Sequence, residues 1–530
     1  MDRIKGDGDP DHPLRNPAAA AKLLAEMRGA DPLSALKDLT AWLVEVKAIP
    51  AGDERIRSEV LAQVQEASEP HLSALLAQFL ARATDKQAGR ESTWFAISSY
   101  LTALTGVLCA SAEILLKEAA TDATLQLPAA AGAARGLRAC RLLAKACLVR
   151  YLSVPPNVWR IAYAVHREAE TADCGAMPVR MHAAQKTTTT VAQELLRLLM
   201  LQSCSPEMMA PGQIEVADWV IEQLGGEFTL RPRGAADNPF CFDPASESPP
   251  GRPPGEPQDT DSGIRYFGPG MGYDALERLY KQLSAAGSAE SKTFGKEIAP
   301  HLQLSGVQHL LSFWGAASPY TPPTRSPATG TVQVVHGYAQ TWEHLSRLGS
   351  APTELSLVED GAAVAQAPET WTLQDTGGNE LGVEIPQRSA DAARCGDVVG
   401  VSTGTGGEWW LGLIRSMHAE PGAGLHANIF IMSRNPQAMK LRAVIVKGEE
   451  TAFSDESARQ FAFNSVRAII LSDGSTASHP ANVLMPPETW KEGGVFEATV
   501  DGTARFLHGE RLLRRGDDYV RAKFAWAEQA

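Results

Sequence analysis

The sequence predicts a multidomain α plus β protein, with an all-helical N-terminal domain and a C-terminal antiparallel β-barrel. Three observations predict it. Apolar residues recur at a helical period of about 3.6 through residues 31–228. Beyond residue 318 the period falls to about 2, in short aromatic and β-branched runs separated by Gly, Asp and Asn. Between the two lies SESPPGRPPGEPQDTDSG, residues 246–263, too poor in apolar side chains to fold alone. A chain of 530 residues allows roughly three domains.

Residues 1–30 are read as a flexible tail. Its opening, MDRIKGDGDPDHP, has no apolar core and is not a secretory signal. The helical domain, residues 31–228, starts at Asp31-Pro32, an N-cap followed by proline at the first helical position. Leu33, Leu36, Leu39, Trp42, Leu43 and Val46 then form an apolar stripe. Further helices follow around Val60, Leu75, Trp94, Leu137–Leu152, Trp159, Val191 and Trp219, and Gly225-Gly226 stops the set. About eight helices with no strand signal describe packed helical hairpins. The longest apolar run, Leu101–Leu116, carries Thr102, Thr105, Ser111 and Glu113. It is shorter than the roughly 20 residues of a membrane span and is read as a buried helix.

Residues 229–270 are read as a Pro/Gly-rich linker or long loop, and residues 271–317 as a short helical segment. Residues 318–530 hold the barrel with additional strands, about ten or more in all. Period-2 runs include Thr331–Val335, Glu369–Leu373, Trp409–Ile414, Asn428–Met432, Ala468–Leu471, Val495–Val500 and Tyr519–Phe524.

The net charge of −13 argues against a binder of nucleic-acid polymers, which needs a basic face. Seven scattered cysteines, an odd number with no CxxC pair, point to free thiols in a reducing cytosol. Neither a GxxxxGK[ST] loop nor an HExxH motif occurs. The run Ser402–Gly407, STGTGG, lacks a following helix and reads as a hairpin turn rather than a phosphate cradle. Asp7, Asp9, Asp11 and His12 sit in the tail without the ordered loop and distal carboxylate that a calcium site needs, so no metal site is expected. Thr187–Thr190 is helix N-cap material before Val191.

One stretch carries more. Trp371–Val383 reads WTLQDTGGNELGV, followed by CGDVVGVSTGTGGEWWLGLIRSM and HANIFIMSRNPQAMKLRAVIV. It resembles the PilZ domain, a small bacterial β-barrel of which many members bind cyclic di-GMP. That family carries RxxxR in a loop before the barrel and D/NxSxxG on an early strand. Guanidinium forks suit phosphate and the guanine edge, and small strand residues let a ligand approach the backbone. Here Arg325 fits the first arginine, and Thr329 stands where the second would be. Asp375 fits the start of the strand motif, Gly377 stands for Ser and Glu380 for Gly, and Gly382 follows two residues later. Glu380 adds a negative charge beside a dianionic ligand and the missing arginine removes a positive one, so both changes oppose binding. The resemblance is to a degenerate PilZ domain. It extends to Arg415, Arg434 and Arg442 on the following strands. LLAKACLVRYLSVPPNVWRIAYAVHREAE, residues 142–170, is similar to the long helical N-terminal region of PilZ-like proteins from proteobacteria.

The resemblance implies a cytoplasmic, non-enzymatic bacterial regulatory protein with cyclic di-GMP as its ligand. Site candidates are Arg325, Asp375, Gly377, Gly382, Arg415 and Arg434. One reading is a scaffold or cyclic di-GMP-linked effector that engages a protein partner through the helical domain. Another is a genuine cyclic di-GMP receptor. A third is an enzyme, for which no nucleophile–base pair, metal spacing or cofactor loop speaks.

Overall fold

The computed structural model describes residues 14–527 except 15, 49–53, 81–86, 183–186, 236, 255–262, 287–293, 295–297, 350–366, 405–406, 420–423, 445–464, 472–480 and 501–502. The acidic cluster Asp7–His12 lies outside the described residues. The chain divides into two compact units, Met1–Tyr320 and Thr321–Ala530.

The first unit begins with eight helices: α1 (Pro17–Met27), α2 (Pro32–Ala48), α3 (Glu54–Leu80), α4 (Gln87–Ala119), α5 (Gln126–Leu148), α6 (Pro156–Thr171), α7 (Val191–Gln202) and α8 (Pro211–Leu224). Capping follows the sequence. The Asp31 carboxylate accepts from the Ser34 amide at 2.9 Å, and Thr190 Oγ1 accepts from the Gln193 amide at 3.1 Å. Both satisfy amides that a helix N-terminus leaves orphaned. Helices α4 and α5 approach closely through Gly136, where a Cβ would lie 2.8 Å from Cys109 Sγ. The apolar run Leu101–Leu116 is the middle of α4. Arg90–Ala119 is long and apolar enough to cross a membrane by length and composition, but 61% of its most apolar window is buried.

Two segments differ from expectation. Helix α1 occupies part of the stretch read as tail, with Asn16 as its cap and Ala20 and Leu24 buried. Its alanines have high helix propensity but too few large apolar residues to show a stripe. Within residues 229–270, β1 (Thr229–Arg231), β2 (Phe240–Phe242) and β3 (Arg265–Gly268) form a three-stranded sheet in the order β1-β3-β2. Phe240, Phe242 and Phe267 are buried there, and Phe242 stacks on Tyr163 of α6 at 4.9 Å. These aromatics supply the burial that the proline and glycine content obscures. Helices α9 (Gly272–Ala286) and α10 (Pro300–Trp314) complete the unit. One continuous core runs from Leu14 to Trp314.

The second unit contains two closed six-stranded barrels where the sequence suggests one barrel with extra strands. The first uses β4 (Ser326–His336), β5 (Glu369–Gly377), β6 (Glu380–Ile385), β7 (Val398–Ser402), β8 (Trp410–Ala419) and β9 (Leu425–Ser433). Its order is β4-β5-β6-β9-β8-β7, closed by β4 against β7. The second uses β10 (Pro436–Val444), β11 (Val466–Leu471), β12 (Ala481–Met485), β13 (Val495–Val500), β14 (Thr503–Arg515) and β15 (Val520–Ala527). Its order is β10-β11-β12-β15-β14-β13, closed by β10 against β13. Closure removes the sheet edges that would otherwise need covering.

Helix α11 (Tyr338–Gly349) joins the barrels. Trp342 Nε1 donates to the Ala468 carbonyl at 3.0 Å, and the Tyr338 hydroxyl donates to the Arg467 carbonyl at 2.7 Å. Thr341 Oγ1 accepts from the Gly400 amide at 3.1 Å. A short turn, α12 (Gln387–Ala390), follows β6.

Candidate functional site

Strand alternation sets the site. On β6, Leu381, Val383 and Ile385 are buried in the barrel, so Glu380, Gly382 and Glu384 face outward. Register places Glu380 opposite Phe430 and Gly382 opposite both Asp375 and Asn428. The outer faces of β5, β6, β9 and β8 therefore form one surface, and Arg325 enters it from the residue just before β4.

Five of the six sequence candidates meet there. Arg325 Nη1 donates to Asp375 Oδ1 at 2.6 Å, and its Nη2 donates to Glu380 Oε2 at 2.7 Å. Arg415 of β8 donates to Glu380 Oε1. The Arg415 guanidinium also lies 4.1 Å from the centre of the Phe430 ring, a cation–π contact. Gly377 is required where it stands, since a Cβ there would meet the Thr324 carbonyl at 2.6 Å. At Gly382 a Cβ would lie 2.5 to 2.6 Å from the Asp375 carboxylate. The glycines thus let Arg325 and Asp375 lie flat on the barrel wall.

Arg434 is separate from this cluster: its guanidinium covers the Trp410 ring at 4.6 Å. Arg442 belongs to the second barrel, where it pairs with Glu497 at 2.6 Å. Glu380 emerges as the centre of the site. Its side chain is only 3% exposed, against 23% for Arg325 and 28% for Arg415. A carboxylate that buried needs paired donors, and two guanidiniums supply them. Phe430 is the site residue that motif spacing alone misses. Its outward position in the alternating run ANIFIM is the signal that marks it.

Ser402–Gly407 does connect two antiparallel strands, β7 and β8, with Val401 opposite Trp410. Gly400–Gly404 also spells GxSxG, the pattern of strand-to-helix elbows that present a nucleophilic serine. Its surroundings deny it that role: β8 follows instead of a helix, and Ser402 is buried with its hydroxyl donating to the Gly404 carbonyl at 3.2 Å. Among the described residues no group of three or more His, Cys, Asp or Glu is placed to hold a metal.

A helical unit is followed by two barrels, and arginines gather on the outer face of the first barrel. Residues 18–234, under half of the chain, match a family model described as the N-terminal domain of the cyclic-di-GMP receptor FimW. The match covers α1 to α8 and the first strand of the small sheet. The helical region is thus similar to part of a cyclic-di-GMP receptor. No curated protein and no solved structure matches the chain.

Proposed function

We propose that the chain is a non-enzymatic regulatory protein that receives cyclic di-GMP on the outer face of its first, PilZ-like barrel. The observation that carries this is the convergence of Arg325 and Arg415, from separate elements, on one glycine-floored face. Guanidinium forks bind phosphate and the guanine edge in two-pronged fashion. The Arg415 guanidinium already lies over the Phe430 ring, a cation–π pair of the kind that base recognition uses. The likeness of the helical region to part of a cyclic-di-GMP receptor supports the receptor reading over a scaffold alone.

Ion pairs hold this face closed. Asp375 and Glu380 neutralise both arginines, so a dianionic dinucleotide binds only by drawing Arg325 or Arg415 away from its carboxylates. Release of either arginine opens the barrel face, and release of Arg325 also frees the segment before β4. That coupling turns binding into a conformational signal for a protein partner on the helical unit.

The same neutralisation favours the second reading, a scaffold whose barrel keeps the fold but not the ligand. Calorimetric titration of cyclic di-GMP into the full-length protein separates the two, with Arg325→Ala and Arg415→Ala alongside. Saturable binding that both variants lose supports the receptor. No heat at high ligand concentration removes it and leaves the barrel as a protein-binding module.

A further inference from the structure

The hairpin β14–β15 of the second barrel carries a surface unrelated to the dinucleotide face. Residues 510–523, ERLLRRGDDYVRAK, hold five cations and three carboxylates in a chain whose net charge is −13. On β15, Val520, Ala522 and Phe524 are fully buried, so Arg521 and Lys523 point away from the barrel core, both half-buried and Arg521 with its Nε enclosed. Register sets Arg511 opposite Lys523 and Arg514 opposite Arg521. Two successive like-charge pairs thus share one face, an arrangement that destabilises a sheet unless an anion lies over it.

The carboxylates nearby are largely committed. Glu510 pairs with Lys523 at 3.2 Å, and Asp518 accepts the Tyr338 amide at 3.0 Å. Asp517 lies in the turn between the strands. Arg514 lies beside Gly396 of the first barrel, on the side facing the barrel junction. Arg511 and Arg515 are exposed, and among the described residues neither forms an ion pair.

Two register shifts, between Gly509 and Arg511 and between Leu512 and Arg514, break the strict alternation of β14. They turn Leu512 and Leu513 out, 41% and 38% exposed. These are the only sequence-adjacent large apolar residues so exposed among the described residues. Adjacent leucines flanked by the exposed Arg511 and Arg515 combine an apolar wedge with a cationic rim.

We propose that this hairpin is a peripheral contact for anionic lipid headgroups, with the two leucines entering the interfacial layer. Charge complementarity selects an anionic partner. The leucine pair selects a bilayer over a nucleic acid, because phosphate contacts alone leave exposed leucines with nothing to bury against.

The test is flotation of the full-length protein with phosphatidylcholine vesicles, with and without about one-third phosphatidylglycerol. Each surface arginine contributes roughly fivefold to partitioning near an anionic membrane. Arg511→Glu with Arg515→Glu therefore lowers binding to anionic vesicles by at least about tenfold. Leu512→Ser with Leu513→Ser lowers it severalfold and removes the part that survives added salt. Both pairs sit on exposed positions, and circular dichroism confirms that each variant is folded. Equal binding to neutral vesicles, or none to anionic ones, overturns the proposal. So does a labelled oligonucleotide that binds equally well with and without the leucines, which makes the hairpin a polyanion site.

Discussion

Replacing Glu380 by Gln should weaken the fold and strengthen the ligand, and the opposite signs make the prediction sharp. Glu380 is 3% exposed and accepts from both Arg325 and Arg415. Breaking a fully buried ion pair costs about 3–5 kcal/mol. Here the arginines are about a quarter exposed and partly screened, and Gln keeps the shape and one acceptor oxygen. Hydrogen bonds to charged groups contribute about 1.5–3 kcal/mol, so we expect a loss of about 2 kcal/mol. For a unit of this size that lowers the melting temperature by about 4–8 °C. The effect on binding runs the other way. A carboxylate about 5 Å from a ligand phosphate repels it by about 3 kcal/mol at an effective dielectric of about 20. Discounted by half for water access, its removal tightens cyclic di-GMP binding about tenfold. Urea denaturation and calorimetry on the same full-length preparations read both quantities. A variant that binds more weakly than wild type, or whose stability changes by less than about 0.5 kcal/mol, refutes the picture of Glu380 as the lock on this face.

Two further outcomes concern the helical unit. Burial would raise the Asp218 pKa, but Arg141 and Lys145, the latter at 2.9 Å, overrule it and hold the carboxyl at about 2. Its folded value therefore lies below its unfolded 3.8. The resulting stability, about 2 kcal/mol, is full above pH 3.8 and lost as pH falls through about 2. Asp218→Asn should remove this increment at neutral pH and flatten that part of the acid limb in a pH series of urea melts; an unchanged acid limb contradicts the ion-pair assignment. The cysteines give the second outcome. Six of the seven are buried and Cys241 is half-buried. The hydrogen bond it shares with Cys140, then burial, push the Cys109 thiol well above its ordinary value, and burial pushes Cys147 up to about 11. A thiol reagent should therefore label about one cysteine quickly in the native protein and all seven in guanidinium. Rapid labelling of Cys109, Cys140 or Cys147 would show that α4 and α5 do not pack as described.

Local patterns made much of this legible in advance. Apolar stripes at helical spacing, Asp31 and Thr190 as caps, and the period-2 runs of the second unit are all short-range signals carried by a few neighbouring residues. Helix α1 and the strands β1 to β3 escaped because their anchors are few and depend on distant surfaces. Phe242, for example, is buried against Tyr163, which stands far back in the chain on α6.

By itself the sequence determined an α region followed by a β region, free thiols, and the residue types Arg325, Asp375, Gly377 and Gly382 in a recognisable spacing. Only the tertiary structure decided that the β region closes into two barrels. Closure depends on β4 meeting β7 and β10 meeting β13, pairings between distant segments that alternation cannot specify. Only the tertiary structure, too, brought Arg415 to Glu380 and left Arg434 on Trp410. An ion pair depends on which side chains share a face after closure, and that is set by register across strands rather than by order along them.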